Sequence, residues 1–71
     1  MELRLREVRE RLFVTQQELA DRAGMSISTI SRVENGLQEA RISTVRRLAL
    51  ALGVRPDELI APEDREGNVA A

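Results

Sequence analysis

Residues 15–36, TQQELADRAGMSISTISRVENG, constrain this chain more than any other stretch. They read as two short helices joined by a tight turn. Leu19, Ala20 and Ala23 follow an i, i+1, i+4 pattern, which gives the first of these helices one buried face. Ile30 and Val33 stand three apart on the second and can turn back onto that face, and Met25 is a further apolar residue of the stretch. Ala20 is small where two crossing helices approach closely, and Gly24 can adopt a positive φ at the turn without a Cβ penalty. Thr15 and Glu18 form a capping box, Ser26 suits the N-cap of the second helix, and Asn35–Gly36 stops it. The remaining positions of that helix are small and polar where a core would want apolar side chains. A helix written this way is made to touch something outside its own fold.

Seventy-one residues allow one small domain with an economical core. The chain has no cysteine and no histidine, and its one aromatic residue is Phe13. A disulfide framework and a thiolate or imidazole metal site are excluded. Without Cys or His no nucleophile–base set can be assembled, so the expectation is a non-enzyme with no catalytic residues, no cofactor and no metal. No apolar run is long enough to span a membrane, and Met1 opens directly into a charged amphipathic helix, so a cytoplasmic protein is expected.

The net charge of −1 is unfavourable for a polyanionic partner, but its distribution is uneven. Residues 1–60 hold ten arginines against nine acids, and residues 61–71 hold one arginine against three acids. A local basic face matters more than the total, although near-neutrality implies weak non-specific binding to nucleic acid. All eleven basic residues are arginine, a pattern better explained by genome composition than by selection for bidentate contacts.

The periodicity predicts an all-α, compact five-helix bundle over residues 1–60, followed by a disordered acidic tail over 61–71. The first helix is expected at about 2–13, with Leu5, Val8 and Leu12 as its buried stripe and Arg4, Arg6, Glu7, Glu10 and Arg11 on its wet side. The second spans about 16–23 and the third about 27–35. The fourth runs from about 42 to 52 with Val45, Leu48, Ala49 and Leu52 inward, and Gly53 ends it. Pro56 starts a short fifth helix that closes with Leu59 and Ile60.

With Gln16 as the first residue of the motif, Ala20, Gly24, Ile30 and Val33 occupy its small, turn and core positions. Together with Ser31-Arg32-Val33-Glu34-Asn35-Gly36, Leu48–Val54 and Pro56–Leu59, they make residues 3–60 similar to the lambda-repressor-like (Xre) helix-turn-helix family of bacterial and phage regulators. One departure is Phe13, where that family usually ends its first helix with glycine; the helix is expected to end differently there, with the ring packed over Val14 and the helix termini. The resemblance implies a partly buried ion pair between Arg9 and Glu34. It also implies sequence-specific binding of double-stranded DNA as a homodimer, acting as a repressor on a two-fold symmetric operator. One such module reads only about 4–6 base pairs, and pairing across one helical turn is the remedy. The dimer surface is expected near the connection between the fourth and fifth helices, with Arg55, Leu59 or Ile60 at its edge.

The residues expected to meet DNA follow from the motif. Gln16 and Gln17 open the second helix, where the resemblance implies that the first glutamine bonds a phosphate and braces the recognition helix; otherwise both are ordinary first-turn polar residues. Ile27, Ser28, Ser31 and Arg32 share the face of the third helix opposite Ile30 and Val33, and base edges are read from such a face. Arg32 offers bidentate donors to guanine O6 and N7, or else a phosphate contact, and Ser28 suits either donor or acceptor bases. Ile27 meets a thymine methyl or folds back onto the core. Thr29, Asn35 and Arg41 are phosphate candidates, Asn35 being otherwise a plain C-cap and Arg41 starting a helix whose N-terminus attracts anions. Two rivals stand beside this reading: an antitoxin-type module whose main partner is a toxin or sensor protein, and the DNA-binding part of a longer regulator.

Overall fold

The computed structural model describes residues 3–61. Four α-helices, α1 (Leu5–Arg11), α2 (Gln16–Ala23), α3 (Ile27–Glu34) and α4 (Ile42–Leu52), are followed by a single 3₁₀ turn at Pro56–Leu59. The expected fifth helix is therefore only this turn. Pro56 presets its φ and Glu58 accepts from the Arg55 backbone N–H at 2.8 Å, but Leu59 ends it. The chain ends are tied together: the Arg4 N–H donates to the Leu59 carbonyl at 2.8 Å, and Leu3 and Ile60 form an antiparallel bridge. Ala61 is buried, and the rest of the expected tail, from residue 62 on, lies outside the described residues.

The core is built from the apolar positions that the periodicity marks. Leu5, Val8, Leu19, Ala20, Ala23, Ile30, Val33, Val45, Leu48, Ala49, Leu52 and Leu59 are all buried in one cluster. Leu12 is not among them. It lies 39% exposed at the C-cap of α1, because that helix stops at Arg11 instead of continuing to residue 13. The third inward position of α1 is taken by Arg9, which is 9% exposed.

All four α-helices end in the same way. A residue at the C-cap (α2, α4) or just past it (α1, α3) takes the left-handed conformation, and the next N–H reaches back to a carbonyl five residues earlier. The pairs are Val14 to Arg9 (3.1 Å), Met25 to Ala20 (2.9 Å), Leu37 to Arg32 (2.9 Å) and Val54 to Ala49 (3.0 Å). Glycine fills the left-handed position in three cases, and Phe13 fills it in α1 with φ +58°. The expectation that α1 ends differently there is overturned, and so is the packed ring, since Phe13 is 93% exposed. The motif is kept because Val14, which follows, is buried, while the unrelieved left-handed backbone costs about 1–2 kcal/mol.

Glu34, the last residue of α3, is the point where three helices meet. Its side chain has no exposed surface. Arg9 of α1 donates to both carboxylate oxygens, Nε to Oε2 at 2.6 Å and Nη2 to Oε1 at 3.2 Å, and its Nη1 donates to the Val14 carbonyl at 2.8 Å. Gln16 of α2 donates to Oε1 at 2.9 Å, and Arg6 donates to the same oxygen at 3.4 Å. Arg6 therefore does not lie on a purely wet side of α1. Burial alone pushes the Glu34 carboxyl up, but the hydrogen bonds from Arg9, Gln16 and Arg6 outweigh it and hold the carboxyl below its ordinary value. The same bond to Glu34 raises Arg9, so both partners are charged at neutral pH.

A second long-range tie fixes the turn between α2 and α3. Arg47 of α4 donates Nη2 to the Ala23 carbonyl at 2.7 Å and to the Gly24 carbonyl at 3.1 Å. A cation thus sits at the negative end of the α2 dipole and satisfies its last carbonyls. A Cβ on Gly24 would meet that Nη2 at 3.2 Å, whereas one on Gly53 would meet nothing within 4 Å.

Two predictions come from these ties. Gly24→Ala and Gly53→Ala share the left-handed penalty of about 1 kcal/mol. Gly24→Ala should cost up to about 1 kcal/mol more, because the added Cβ at 3.2 Å pushes Arg47 Nη2 and weakens its bonds to two carbonyls. Urea melts giving the two variants equal midpoints would contradict the Arg47 tie. Arg9→Ala should cost about 2–3 kcal/mol, less than the ~3–5 of a fully stranded buried charge because Arg6 and Gln16 remain on Glu34. That is a fall on the order of 10–20 °C in Tm for a chain this size; exposed Arg11→Ala should stay within a few degrees. Because the folded Glu34 pKa is lowered, its contribution is complete above the ordinary value of 4.5 and is lost as pH falls below it. The gap between wild type and Arg9→Ala should therefore shrink below about pH 4.5, and a gap that is flat or widens there would refute the pairing.

Candidate nucleic-acid interface

The third helix begins at a well-made cap. The Ser26 hydroxyl accepts from the Thr29 N–H at 3.2 Å, and Ser26 Oγ lies 2.9 Å from Thr29 Oγ1. The second helix begins with the complete capping box: the Glu18 N–H donates to Thr15 Oγ1 and the Thr15 N–H donates to Glu18 Oε1, each at 3.0 Å. The Thr15 bonds hold the exposed Glu18 carboxyl below its ordinary value. These local bonds set where each helix starts, and hence which side chains face out.

Ile30 and Val33 are buried at 0% and 7%, which turns the opposite face of α3 outward. Ser28 and Arg32 are exposed there and Ser31 is half-buried. Ile27 is 42% exposed, so it stands at the surface and does not join the core. Neither Ser28 nor Arg32 makes a side-chain hydrogen bond or ion pair to another described residue, which leaves their polar atoms available to a ligand.

The glutamines at the start of α2 are differently committed. Gln16 uses its amide N–H on Glu34, which joins the α2 N-terminus to the end of α3. Its carbonyl oxygen and second N–H have no partner among the described residues. Gln17 is exposed and donates to Asp21 Oδ1 at 2.9 Å, one turn along its own helix. Thr29 is half-buried with its hydroxyl on Ser26, as above. Asn35 caps α3 and lies between helices: Arg6 Nη2 donates to its Oδ1 at 2.6 Å, and its Nδ2 donates to Ser31 Oγ at 3.4 Å. Arg41 is the exposed N-cap residue of α4, a helix start with no side-chain cap and no acid in its first turn.

Gln16, Ser31 and Asn35 are therefore drawn into one network with Glu34, Arg9 and Arg6, while Gln17 and Arg41 lie outside it. Sequence reasoning missed two residues of this arrangement. Arg6 stands three residues before Arg9, so the helical period alone places both on the side facing Glu34. Arg47 carried no such signal, because its partners are backbone carbonyls 23 and 24 residues away. Among the described residues no cluster of His, Cys, Asp or Glu could hold a metal ion, and no helix is long and apolar enough to cross a membrane.

The fold and sequence are similar to those of known proteins. Residues 5–59 match the helix-turn-helix family. The chain is 38% identical over 63 residues to an uncharacterised HTH-type transcriptional regulator of Methanothermobacter thermautotrophicus, spanning 89% of this chain and 91% of that protein. It is 39% identical over 51 residues to the HTH-type transcriptional regulator y4dJ of Sinorhizobium fredii, across 72% of this chain and 66% of that protein. The crystal structure of the restriction-modification controller protein C.AhdI from Aeromonas hydrophila superposes with a TM-score of 0.77 at 35% identity, covering 80% of this chain and 86% of that one. A hypothetical transcription factor from Neisseria, NHTF, gives a TM-score of 0.74 at 29% identity, covering 90% and 75%. The chain belongs to the lambda-repressor-like (Xre-type) helix-turn-helix family of DNA-binding transcriptional regulators.

Proposed function

We propose that the chain binds double-stranded DNA in a sequence-specific manner as a homodimeric repressor on a two-fold symmetric operator. The observation that carries this reading is the outward face of α3, where Ile27, Ser28 and Arg32 stand exposed behind a fully buried Ile30. Arg32 and Ser28 read base edges, Ser31 and Ile27 complete the reading surface, and Gln16, Gln17, Thr29, Asn35 and Arg41 meet the phosphates. The likeness to a restriction-modification controller protein supports a regulatory role.

The dimer surface in this proposal is the groove between α4 and the 3₁₀ turn, about 620 Å³, lined by Ile42, Arg46, Arg55, Pro56 and Ile60 among others. Leu59, also expected at its edge, is 0% exposed and belongs to the core instead. Ile42 is 63% exposed beside the groove, apolar surface that a second copy would cover.

Selection of bound duplexes from a random pool tests the reading. The expected product is an inverted repeat with half-sites about 10–11 base pairs apart, the spacing of successive major grooves. Enrichment without an inverted repeat would remove the dimer, and no enrichment would remove the function. Within such a site, Arg32→Ala should cost about 1–3 kcal/mol and flatten preference at one position per half-site. Arg41→Ala should weaken all sequences alike and lower the salt slope by about one. Affinities for the selected site and its single-base variants at two salt concentrations separate the two roles. An Arg32→Ala protein with undiminished base preference would make Arg32 a phosphate contact.

A further inference from the structure

We infer that Arg6 and Asn35 set the hydrogen-bonding polarity of Ser31, and so decide which bases this position of the recognition helix accepts. The inference rests on the DNA-binding reading proposed above. A guanidinium is donor-only, so the 2.6 Å contact from Arg6 Nη2 forces the carbonyl oxygen of the Asn35 amide to face α1. The amide nitrogen must then face the other way, where Ser31 Oγ lies 3.4 Å off. An amide nitrogen is also donor-only, so the serine oxygen is the acceptor in that contact. The hydroxyl hydrogen of Ser31 has no other acceptor among the described residues. It is left to point outward from the reading face.

A free serine hydroxyl would serve donor and acceptor bases alike. With one lone pair taken by Asn35, Ser31 can turn its second lone pair to a base only by aiming the hydroxyl hydrogen where no described residue accepts it, so it presents a donor by preference. On the strand that it reads, it therefore favours guanine (N7, O6) or thymine (O4) over cytosine, whose major-groove edge offers only the N4 amino donor. Arg6 and Asn35 act here as positioning residues. Arg6 is itself held by Glu34 at 3.4 Å, so the chain of polarity starts at the junction that fixes α3.

Asn35→Asp inverts the relay without changing its shape. The aspartate still accepts from Arg6, but it can only accept from Ser31, so the Ser31 oxygen lone pairs turn to the base. Selection from a random duplex pool is run with wild type, Asn35→Asp, Arg6→Ala and Ser31→Ala. For wild type, one column per half-site should disfavour cytosine by about fivefold, the worth of one hydrogen bond, and Ser31→Ala should flatten that column alone. In Asn35→Asp the new charge beside the phosphates should weaken all sequences alike, and among the duplexes still selected the same column should turn toward cytosine by a similar factor. In Arg6→Ala, where the amide can rotate, cytosine should rise to parity while the other columns hold. If Asn35→Asp selects nothing, the Arg6→Ala column decides. A column that Ser31→Ala flattens but neither of the other variants alters would overturn the inference and leave the DNA reading intact. Enrichment of no sequence by wild type would overturn both.

Discussion

A carboxylate with no exposed side-chain surface decides where the third helix can lie. Glu34 is buried as a charge, and a buried charge is tolerable only with partners in good geometry. Two charged donors come from α1 and one amide donor comes from α2. If any of these helices moved by more than a fraction of an ångström, the carboxylate would lose bonds that hydration could not replace. The apolar contacts among Leu19, Ala20, Ile30 and Val33 stabilise the pairing of α2 and α3 without strongly fixing its register. The Glu34 junction adds that register, because hydrogen bonds are directional and hydrophobic contacts are not.

The junction also links fold to recognition. Gln16 belongs to it, and Asn35 is one bond away through Arg6. Two of the side chains expected against the phosphates, Gln16 and Asn35, are thus held by the groups that lock the helices together. Preorganisation of this kind spares the rotamer entropy that free glutamine and asparagine side chains would lose on binding. Arg32 and Ser28, by contrast, are exposed and have no side-chain partner among the described residues, as the proposed reading of bases requires. Rigid anchors and available readers therefore sit on the same pair of helices.

Much of this was legible in the residues, and the reasons differ by element. Caps and stops are local: Thr15 with Glu18, Ser26, and the left-handed glycines each act within four or five residues. The spans of α2 and α4 could accordingly be read to the residue. The end of α1 was misread because Phe13 does a glycine's work. Its side chain gives no sign that the backbone will accept φ +58°, and the burial of Val14 that compensates is a tertiary fact. Leu12 went wrong for the same reason, since a period of 3.6 holds only while the helix continues. The closing turn was read as a helix because proline and two acids suit either form, and only four residues were available to choose. Arg47 was invisible, because a side chain that bonds to backbone carbonyls leaves no complementary residue to notice. Gln16 was read from the family resemblance as a phosphate contact that also braces the recognition helix; the brace is its bond to Glu34, a partner that the resemblance did not name.

The most direct test is an NMR titration of the isotopically labelled chain with its selected duplex, following backbone and arginine side-chain signals. The largest shifts are expected at Gln16, Gln17, Ile27–Arg32, Asn35 and Arg41, with the Arg9 side-chain resonance unmoved because its bonds to Glu34 persist in the complex. Shifts centred instead on Leu50, Arg22 and the outer face of α4, with the third helix unperturbed, would contradict the assignment of α3 as the reading element.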